Sequence, residues 1–456
     1  MPSPGARRGG LCWTLAALTF ATVACSTDEA TTTEPAATGR APEPATGSIA
    51  DIDPPAAATR PTSTTTNAVS TTTATSATTN SPTSTSSTMA PSTAPTIDAT
   101  GSTPATPGRC VESLTLREQI ALTVWPAVYP ADWATAIEVV GTTGVGGVLL
   151  MRPASWTADQ LRDALRDLED VSRHGLIVAT DEEGGDVQRL ALLGRLPSQR
   201  EVSTTMTAGE AADLIAAHGA AVRAAGVDMV LGPVVDVEPN VGDVPLQPSR
   251  FFSGPPDTVA EFAAAYLEGW QRADLFAVLK HYPGHGAASG DTHITAGVTP
   301  SFDDIAEWDL APYRSLAERY AASNTADADA DPADAALSVM IGHLTVPGLT
   351  DGVPATRSAA AVDHLRDDLG YGDALLITDA LGMAAVGLPE PEASVAAMAA
   401  GIDVVLFTQT SQTEAVIDAL VDAVERGEVA REHVDSAASK VMSKLGRDGH
   451  TCHPQR

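Results

Sequence analysis

The segment from Lys280 to His293 concentrates side chains that could carry out acid–base chemistry. Asp291 and His293 lie two positions apart near its end, so in an extended backbone their side chains point the same way. A carboxylate beside an imidazole orients the ring and raises its basicity. The spacing therefore predicts an acid/base dyad on a glycine-rich loop.

The histidines of this segment also raise the question of a metal site. His281 and His285 have the i, i+4 spacing of zinc ligands on a helix. Pro283 and Gly284 stand between them, however, and would break such a helix. The sequence therefore favours acid–base chemistry, and we expect neither a metal ion nor another cofactor.

Eight short apolar segments predict the strands that must position these side chains. They are residues 122–128, 145–151, 176–180, 229–235, 277–279, 337–341, 374–378 and 404–407. Between them lie longer Ala- and Leu-rich segments with helical spacing, such as 158–168, 208–224 and 258–272. Apolar strands separated by helices predict a parallel sheet covered on both faces, and eight repeats predict a (β/α)8 TIM-like barrel. The alternative is an open doubly wound sheet, although no glycine-rich nucleotide-binding motif follows the first strand.

Polar and charged residues recur where the predicted strands end. They include Asp181, Asp236, Lys280, His343 and Asp379. A charge at the end of a buried strand must be paired or face a cleft, and in a barrel these ends meet on the face that carries active sites. Any one of them could form a structural ion pair, but five at the same end indicate a site.

The composition excludes several classes of protein. The chain has 58 acidic and 27 basic side chains and a formal net charge of −31, so it lacks the excess of Lys and Arg that binds nucleic acid or anionic lipid. Only four cysteines occur in 456 residues, which excludes a disulfide-dense scaffold. An Ala- and Asp-rich insertion at 321–336 predicts a solvated loop.

The first residues have the features of an export signal. Arg7 and Arg8 precede a short apolar stretch at 11–24, as in a signal peptide. The stretch ends Thr-Val-Ala-Cys, which resembles a bacterial lipobox with Thr where Leu is usual, so residues 1–24 predict a lipoprotein signal peptide and Cys25 its lipidation site. The alternative is an ordinary signal peptide with a chance cysteine.

A long polar segment separates this signal from the folded region. Residues 25–108 are almost entirely Thr, Ser, Ala and Pro and cannot bury enough surface to fold, so we predict a disordered tether before a single domain at 109–456. Cys110 and Cys452 lie at the two ends of that domain. Because exported proteins meet oxidising conditions, we predict a disulfide between them; two free thiols are the alternative.

Three blocks of sequence follow the patterns of a known enzyme family. The segment from Lys280 to His293 matches the pattern K-H-[FY]-P-G-H-G, four residues, then D-[ST]-H. Residues 378–383 are similar to a nucleophile segment [ST]-D-x-L-x-M, and residues 181–189 to D-x-E-G-G-x-V-x-R. The chain thus resembles the glycoside hydrolase family 3 β-N-acetylglucosaminidases of the peptidoglycan-recycling type, over about residues 112–446. Asp186 departs from the family, which often has a basic residue there.

The resemblance implies roles for individual residues. Asp379 would be the nucleophile and His293 the acid/base, with Asp291 tuning the imidazole. The residues that would bind the polar edge of the sugar are Asp181, Arg250, Lys280 and His281. His285 would shape the loop. His343 is either a ligand or a rim histidine satisfied by a neighbouring carboxylate, so we leave it outside the site. Asp403 lies before the eighth strand, and we assign it a structural role.

The resemblance also implies a reaction, a substrate and a location. It implies a retaining exo-β-N-acetylglucosaminidase that releases N-acetylglucosamine (GlcNAc) from cell-wall fragments containing GlcNAc and N-acetylmuramic acid. Because a neutral imidazole base does not repel an anion, a phosphorylase is one alternative; a β-glucosidase of the same fold is another. A non-catalytic sugar-binding lipoprotein is the alternative of a different class. We expect a monomer that contacts the outer face of the cytoplasmic membrane through its lipid anchor only.

Overall fold

Short runs of buried residues form eight strands around one axis. The computed structural model describes residues 111–239, 248–324 and 337–446. Within them, strands β1 to β8 are Val124–Val128, Gly147–Leu150, Ile177–Thr180, Met229–Val230, Phe276–Tyr282, Ser338–Ile341, Leu375–Thr378 and Val405–Phe407. Every predicted strand therefore exists, although several bounds differ from the prediction.

The strands form a closed parallel barrel. From β1 to β7 each strand pairs in parallel with the next one along the chain, and β8 returns to pair with β1. A parallel bridge between Ile377 and Val404 joins β7 to the start of β8 and closes the circle. The predicted (β/α)8 barrel is thus confirmed, and the open doubly wound alternative is wrong.

Two strand bounds differ from the prediction for identifiable reasons. Strand β4 ends at Val230 rather than at 235, because Pro233 has no N–H to donate to a neighbouring strand. Strand β5 continues to Tyr282, so Lys280 and His281 lie within the strand rather than after it. The polar side chains of Lys280 and His281 end the apolar segment of the sequence, but the strand pairing continues past them and places Tyr282 opposite Ile341.

Helices cover the outside of the barrel. Helices α1 to α12 are Leu116–Leu122, Trp133–Thr143, Ala158–Val171, Gln199–Thr205, Ala208–Ala224, Pro256–Arg272, Phe302–Ala306, Ala311–Asn324, Ala359–Asp363, Glu390–Ala399, Thr413–Glu425 and Arg431–Leu445. Thr157 and Thr207 cap α3 and α5 through capping boxes, which satisfy the first N–H groups of each helix. The three predicted helical segments are confirmed.

Some sequence predictions lie partly or wholly outside the described residues. The predicted loop at 321–336 is wrong for residues 321–324, which form the last turn of α8, and the rest of it is not described. Outside the described ranges lie the signal peptide, the tether, Cys25, Cys110 and Cys452. No helix in the described ranges is both long enough and apolar enough to cross a membrane.

Alternate residues of the strands contribute to two apolar clusters. Trp125 and Ile377 belong to the cluster inside the barrel, whereas Val124 and Leu376 belong to the larger cluster under the helices. This division follows from the two-residue period of a strand, which points successive side chains to opposite faces. The inner cluster forms the floor beneath the carboxyl ends of the strands.

Asp403 has the structural role that we expected. Its side chain is 1% exposed, and its Oδ2 accepts hydrogen bonds from Leu376 N at 2.9 Å and from Arg366 at 2.8 Å. Lys440 of α12 lies 3.0 Å from the same oxygen. One buried carboxylate thus ties the start of β7 and the start of β8 to the helix that follows the barrel.

We expect Asp403→Ala to destabilise the fold strongly. It leaves two cations and one backbone N–H without their acceptor, a loss worth about 3–5 kcal/mol for a buried pair. Urea denaturation at pH 7 measures the change in the free energy of unfolding. The control is Asp163→Ala, which removes an exposed partner of Arg166 and should cost less than about 1 kcal/mol; equal losses for the two variants would contradict the assignment.

Candidate active site

A pocket of about 460 Å³ opens at the carboxyl ends of the barrel strands. Leu149, Leu231, Met340 and Leu406 line its apolar part. The seven residues that the sequence analysis assigned to catalysis and sugar binding all line this pocket: Asp181, Arg250, Lys280, His281, Asp291, His293 and Asp379. Residues that are up to 198 positions apart, from 181 to 379, are therefore brought together on one face.

The acidic run after β3 sends its carboxylates to different places. Glu182 accepts hydrogen bonds from Leu190 N and the Gln188 side chain and so holds the short hairpin that follows. Asp181 and Glu183 instead line the pocket. Gly184 follows with φ +92, where a Cβ would lie 2.3 Å from the carbonyl oxygen of Pro197. Only glycine fits this close turn. The alternation of side chains along the extended segment places Asp181 and Glu183 on the pocket side and Glu182 on the other.

Lys280 connects the acidic side chains of the pocket wall. Its Nζ lies 2.8 Å from Asp181 Oδ1 and 2.6 Å from Glu183 Oε1, and its side chain is 2% exposed. Arg250 donates to both oxygens of Glu183 at 2.8 Å, in the bidentate geometry that makes charge-assisted hydrogen bonds strong. Arg189 reaches the other oxygen of Asp181 at 3.3 Å. The wall of the pocket is thus a continuous row of alternating charges: Arg189, Asp181, Lys280, Glu183 and Arg250.

These contacts keep the wall ionised although it is buried. Burial favours the neutral form of Glu183, but the charges and hydrogen bonds of Lys280 and Arg250 outweigh it and lower the pKa of Glu183 to about 2. The pKa of Asp181 is also lowered, because Lys280 and Arg189 outweigh its burial. Burial opposes the charge of Lys280, but the two carboxylates raise its pKa above the ordinary value. The wall therefore offers fixed charges to a ligand at neutral pH.

His281 is oriented by a buried carboxylate. Its Nδ1 lies 2.7 Å from Asp236 Oδ2, and the backbone N–H groups of His281 and His285 donate to Oδ1 of Asp236. Burial opposes the charge of Asp236, but the two histidines and these N–H groups lower its pKa to about 2. Because a guanidinium can only donate, the contact from Arg250 to His281 Nε2 at 3.4 Å assigns the ring proton to Nδ1.

Asp379 stands on the barrel itself. It follows β7, its backbone N–H donates to Ile341 O of β6 at 2.9 Å, and its Oδ1 accepts from Ala380 N at 2.7 Å. Burial opposes its charge, but His343, His281, the Ala380 N–H and Lys280 together lower the pKa of Asp379. The side chain is therefore a carboxylate at neutral pH, held on the pocket wall.

His343 supports the segment that carries Asp379. Its Nε2 lies 3.0 Å from Ala380 O and its Nδ1 2.9 Å from the Thr356 hydroxyl. A carbonyl only accepts, so Nε2 carries the proton and Thr356 donates to Nδ1. Burial lowers the pKa of His343, in agreement with this neutral form. The sequence leaves open whether His343 is a ligand or a rim histidine satisfied by a carboxylate; in the structure its partners are a hydroxyl and a carbonyl.

Asp291 and His293 form a contact pair on a loop at the mouth of the pocket. Asp291 Oδ1 accepts from the backbone N–H of His293 at 3.0 Å and lies 2.8 Å from its Nδ1. The backbone hydrogen bond, with smaller contributions from the ring, lowers the pKa of Asp291. The imidazole is 64% exposed, and its Nε2 faces away from the carboxylate. The two side chains therefore contact each other as predicted, but they do so across a turn closed by hydrogen bonds from Ile294 N and Thr295 N to Asp291 O, and the expected extended backbone is wrong.

The loop is pinned at both sides of the dyad. His285 is 2% exposed, and its Nε2 lies 3.1 Å from the Thr292 hydroxyl. Ala385 N, from the loop after β7, donates to Thr292 O at 3.1 Å. Further along, Gly297–Val298 pairs with Leu344–Thr345 after β6. His285 therefore shapes the loop, as expected.

Sequence reasoning missed three residues of this site. Glu183 and Arg189 lie inside a block that was noticed for its pattern, but neither was given a role. Asp236 was noticed at a strand end and was not connected with His281. The signal that could have found Glu183 is its position as the third acid after a buried strand, two residues beyond Asp181 and therefore on the same side of an extended chain. Asp186, the departure from the family pattern, accepts from Ser249 at 2.8 Å.

The described residues contain no group of three or more His, Cys, Asp or Glu side chains arranged to hold a metal ion. His281 and His285 differ in their partners, since one contacts Asp236 and the other Thr292. Their rings meet edge to face with centroids 5.9 Å apart. Each histidine thus has a protein partner at one ring nitrogen or more, whereas Nδ1 of His285 is buried without a hydrogen-bond partner among the described residues.

We expect Lys280→Gln to lower stability in a way that depends on pH. At pH 7 it leaves two carboxylates without their shared cation, at a cost of roughly 3–5 kcal/mol. In the wild type, the pKa of Glu183 is lower in the folded than in the unfolded state. The stability that its charge contributes is therefore lost as pH falls from about 4.5 to about 2. In the variant these carboxyls bind protons more tightly, so its deficit should shrink between pH 7 and pH 4.

Thermal unfolding across this pH range measures the deficit. The control is Arg162→Gln, whose exposed partner is Asp159 and whose effect should stay below about 1 kcal/mol at every pH. A deficit of Lys280→Gln that does not change with pH would contradict the ion network.

Comparison with known proteins agrees with this geometry. Residues 115–444 match the family described as Glycosyl hydrolase family 3 N terminal domain. Over 327 residues the chain is 37% identical to Beta-hexosaminidase LpqI of Mycobacterium tuberculosis, which covers 69% of this chain and 79% of that protein. It is 32% identical over 274 residues to a Beta-hexosaminidase of Alkalilimnicola ehrlichii, covering 58% of this chain and 73% of the relative.

Solved structures give the same result. A glycosyl hydrolase of this family from Mycobacterium smegmatis superposes with a TM-score of 0.65 at 34% identity, over 76% of this chain and 99% of that one. The structure of LpqI from M tuberculosis gives a TM-score of 0.65 at 35% identity, over 74% of this chain and 96% of that one. The chain therefore belongs to glycosyl hydrolase family 3 and is a glycoside hydrolase.

Proposed function

We propose that the chain is a retaining exo-β-N-acetylglucosaminidase that removes GlcNAc from fragments of the cell wall. The observation that carries this proposal is the meeting, in one pocket, of the ionised Asp379 with an exposed His293 oriented by Asp291. The relatives that match most of this chain are named beta-hexosaminidases, which supports the same activity here. A pocket, rather than an open groove, favours removal of one terminal sugar.

In the first step Asp379 attacks the anomeric carbon of the sugar. The bond from that carbon to the leaving oxygen breaks as the bond to Asp379 forms, and His293 donates its Nε2 proton to the leaving oxygen. Asp291 accepts from Nδ1, which directs the other nitrogen at the substrate and stabilises the protonated ring. A covalent glycosyl-enzyme results.

In the second step His293 reverses its role. The neutral imidazole takes a proton from water, whose oxygen attacks the anomeric carbon while the bond to Asp379 breaks. The carboxylate is released, the anomeric configuration is retained, and His293 again carries the proton. Because the neutral base carries no negative charge, it does not repel an anionic acceptor, so phosphate in place of water is the nearest alternative reaction.

The rest of the pocket suits a sugar with both polar and apolar surface. Asp181, Lys280 and Arg250 of this wall, with His281 beside them, offer donors and acceptors to ring hydroxyls. Their mutual contacts order them before a ligand enters. Met383 and the apolar floor face the side where an acetyl methyl group or a sugar face could pack. The names of the relatives, beta-hexosaminidases, support an N-acetylated hexose over a plain glucose.

We expect Asp379→Asn to abolish turnover of 4-nitrophenyl β-N-acetylglucosaminide, because an amide cannot form the glycosyl-enzyme. His293→Ala should lower kcat/KM for an N-acetylglucosaminyl disaccharide by roughly 10²- to 10⁴-fold, the usual contribution of a general acid. The measurement is initial rates with purified residues 109–456. Matched controls are the exposed Asp373→Asn and His433→Ala, whose ring contacts Ile402 O; both should act like wild type.

The same assays separate the alternatives. The β-glucoside should be the poorer substrate, and proton NMR should show the β-anomer of GlcNAc as the first product. Acceleration by phosphate with sugar 1-phosphate as product would assign a phosphorylase. Saturable GlcNAc binding without turnover of any substrate by folded wild type would instead favour the non-catalytic sugar-binding lipoprotein.

We also propose that the enzyme is exported and held on the outer face of the cytoplasmic membrane by lipid on Cys25. In a bacterial host that processes lipoproteins, the full chain should sediment with the membrane fraction, and Cys25→Ser should move it to the soluble fraction, because one residue carries the anchor. Cys12→Ser lies within the proposed signal and should leave the membrane fraction unchanged. Membrane association of Cys25→Ser would contradict the anchor.

A further inference from the structure

Asp309 is a buried carboxyl beneath the loop that carries the dyad. It lies between α7 and α8 and is 2% exposed. A Cβ built on Gly284 would lie 2.6 Å from the Asp309 Cβ, and one built on Gly286 would lie 3.2 Å from its Oδ1. The side chain therefore packs directly against the backbone of the turn at 283–287, which only glycine allows to approach so closely.

No cation compensates this carboxyl within the described ranges. Its Oδ1 is buried and has no hydrogen-bond partner among the described residues. Burial, with a smaller contribution from the negative charge of Asp236, raises the pKa of Asp309 to about 7; the backbone N–H groups of Asp309 and Ala287 offset only part of this. A charge in this position would be unpaired and beside a second carboxylate.

His285, in the turn above Asp309, contacts both Asp236 and the segment that carries the dyad. The backbone N–H of His285 donates to Asp236 at 2.8 Å, and its ring lies 3.1 Å from the Thr292 hydroxyl. Thr292 stands between Asp291 and His293 in the chain. A shift of the turn would therefore be transmitted to the dyad, whose own side chains are exposed.

We propose that Asp309 is a positioning residue. Its neutral carboxylic acid packs against the turn at 283–287 and fixes the position of that turn, which in turn holds His293 at the leaving oxygen. The proposal rests on the proposed function, since it assigns Asp309 to the acid step of that reaction. When Asp309 ionises, its charge repels Asp236 across the base of the turn, and the turn is no longer held in place. Asp236 after β4 and Tyr313 of α8 interact electrostatically with Asp309, and His285 lies in the turn that packs against it.

Two substrates with different leaving groups test this role. A GlcNAc disaccharide needs a proton on its leaving oxygen, whereas 2,4-dinitrophenyl β-N-acetylglucosaminide does not. Asp309→Ala should therefore lose about tenfold or more in kcat/KM with the disaccharide, as part of the general-acid contribution, and less than about threefold with the dinitrophenyl substrate. A residue with only a structural role would lower both equally, and that result would overturn the proposal.

The conservative variant Asp309→Asn tests the neutral form. The carboxyl must be protonated, so activity is present below its pKa and is lost as pH rises through about 7. In wild type, ionisation of Asp309 alone should lower kcat/KM for the disaccharide by up to about tenfold between pH 6 and pH 8. Asp309→Asn should retain wild-type activity at pH 6 and a larger fraction of it at pH 8, because the amide cannot ionise. The same ratio of rates as in wild type would overturn the proposal.

A control and a measurement on wild type complete the test. Asp303→Asn changes an exposed carboxyl of α7 and should keep the wild-type rates and pH ratio. If Asp309→Ala does not fold, hydrogen–deuterium exchange of wild type decides: residues 284–293 should open more at pH 8 than at pH 6 after correction for intrinsic exchange, and equal protection would overturn the proposal. Wild type that turns over neither substrate would refute the proposed function, and with it the role of Asp309.

Discussion

Lys280 is the charge on which the polar half of the pocket depends. Buried carboxylates are stable only when they are paired, protonated or bound to a metal ion. Here one lysine from within a barrel strand contacts both Asp181 and Glu183, and Arg250 completes the network. The charged side chains of this wall are therefore held in place before a ligand binds. Fixed dipoles and charges that need no rearrangement are the most effective way for a protein to stabilise charge during a reaction.

The two side chains that we propose as nucleophile and acid/base are held in different ways. Asp379 is fixed by main-chain hydrogen bonds to β6 and to its own following residue, and its neighbour Ala380 is anchored by a neutral His343. His293, in contrast, is exposed on a loop whose base is pinned through His285 and Thr292. In the proposed two-step displacement, the nucleophile reacts with one carbon atom in both steps, whereas the acid/base must serve first the leaving group and then the acceptor. The rigid strand end and the supported loop match these two tasks.

The sequence predicted the fold and seven residues of the pocket, because local patterns and the family resemblance point to them. The apolar segments identify all eight strands, and the polar residues at their ends identify the face that bears the site. The bounds of β4 and β5 were wrong for opposite reasons: Pro233 shortens one strand despite apolar neighbours, and Lys280 and His281 continue the other despite their polarity. The pairing of Lys280 with Glu183, and the burial of Asp309 under the loop, join elements distant in the chain, so no local pattern could reveal them.

The covalent intermediate on Asp379 is the central claim, and mass spectrometry of a trapped intermediate tests it most directly. In His293→Ala, 2,4-dinitrophenyl β-N-acetylglucosaminide should react with Asp379 without an acid, while the hydrolysis of the intermediate is slowed by loss of the base. Peptide mapping after acid quenching should then find one N-acetylglucosaminyl group on the peptide that contains Asp379. Continued release of dinitrophenol with no adduct on that peptide, or an adduct on another residue, would contradict the account.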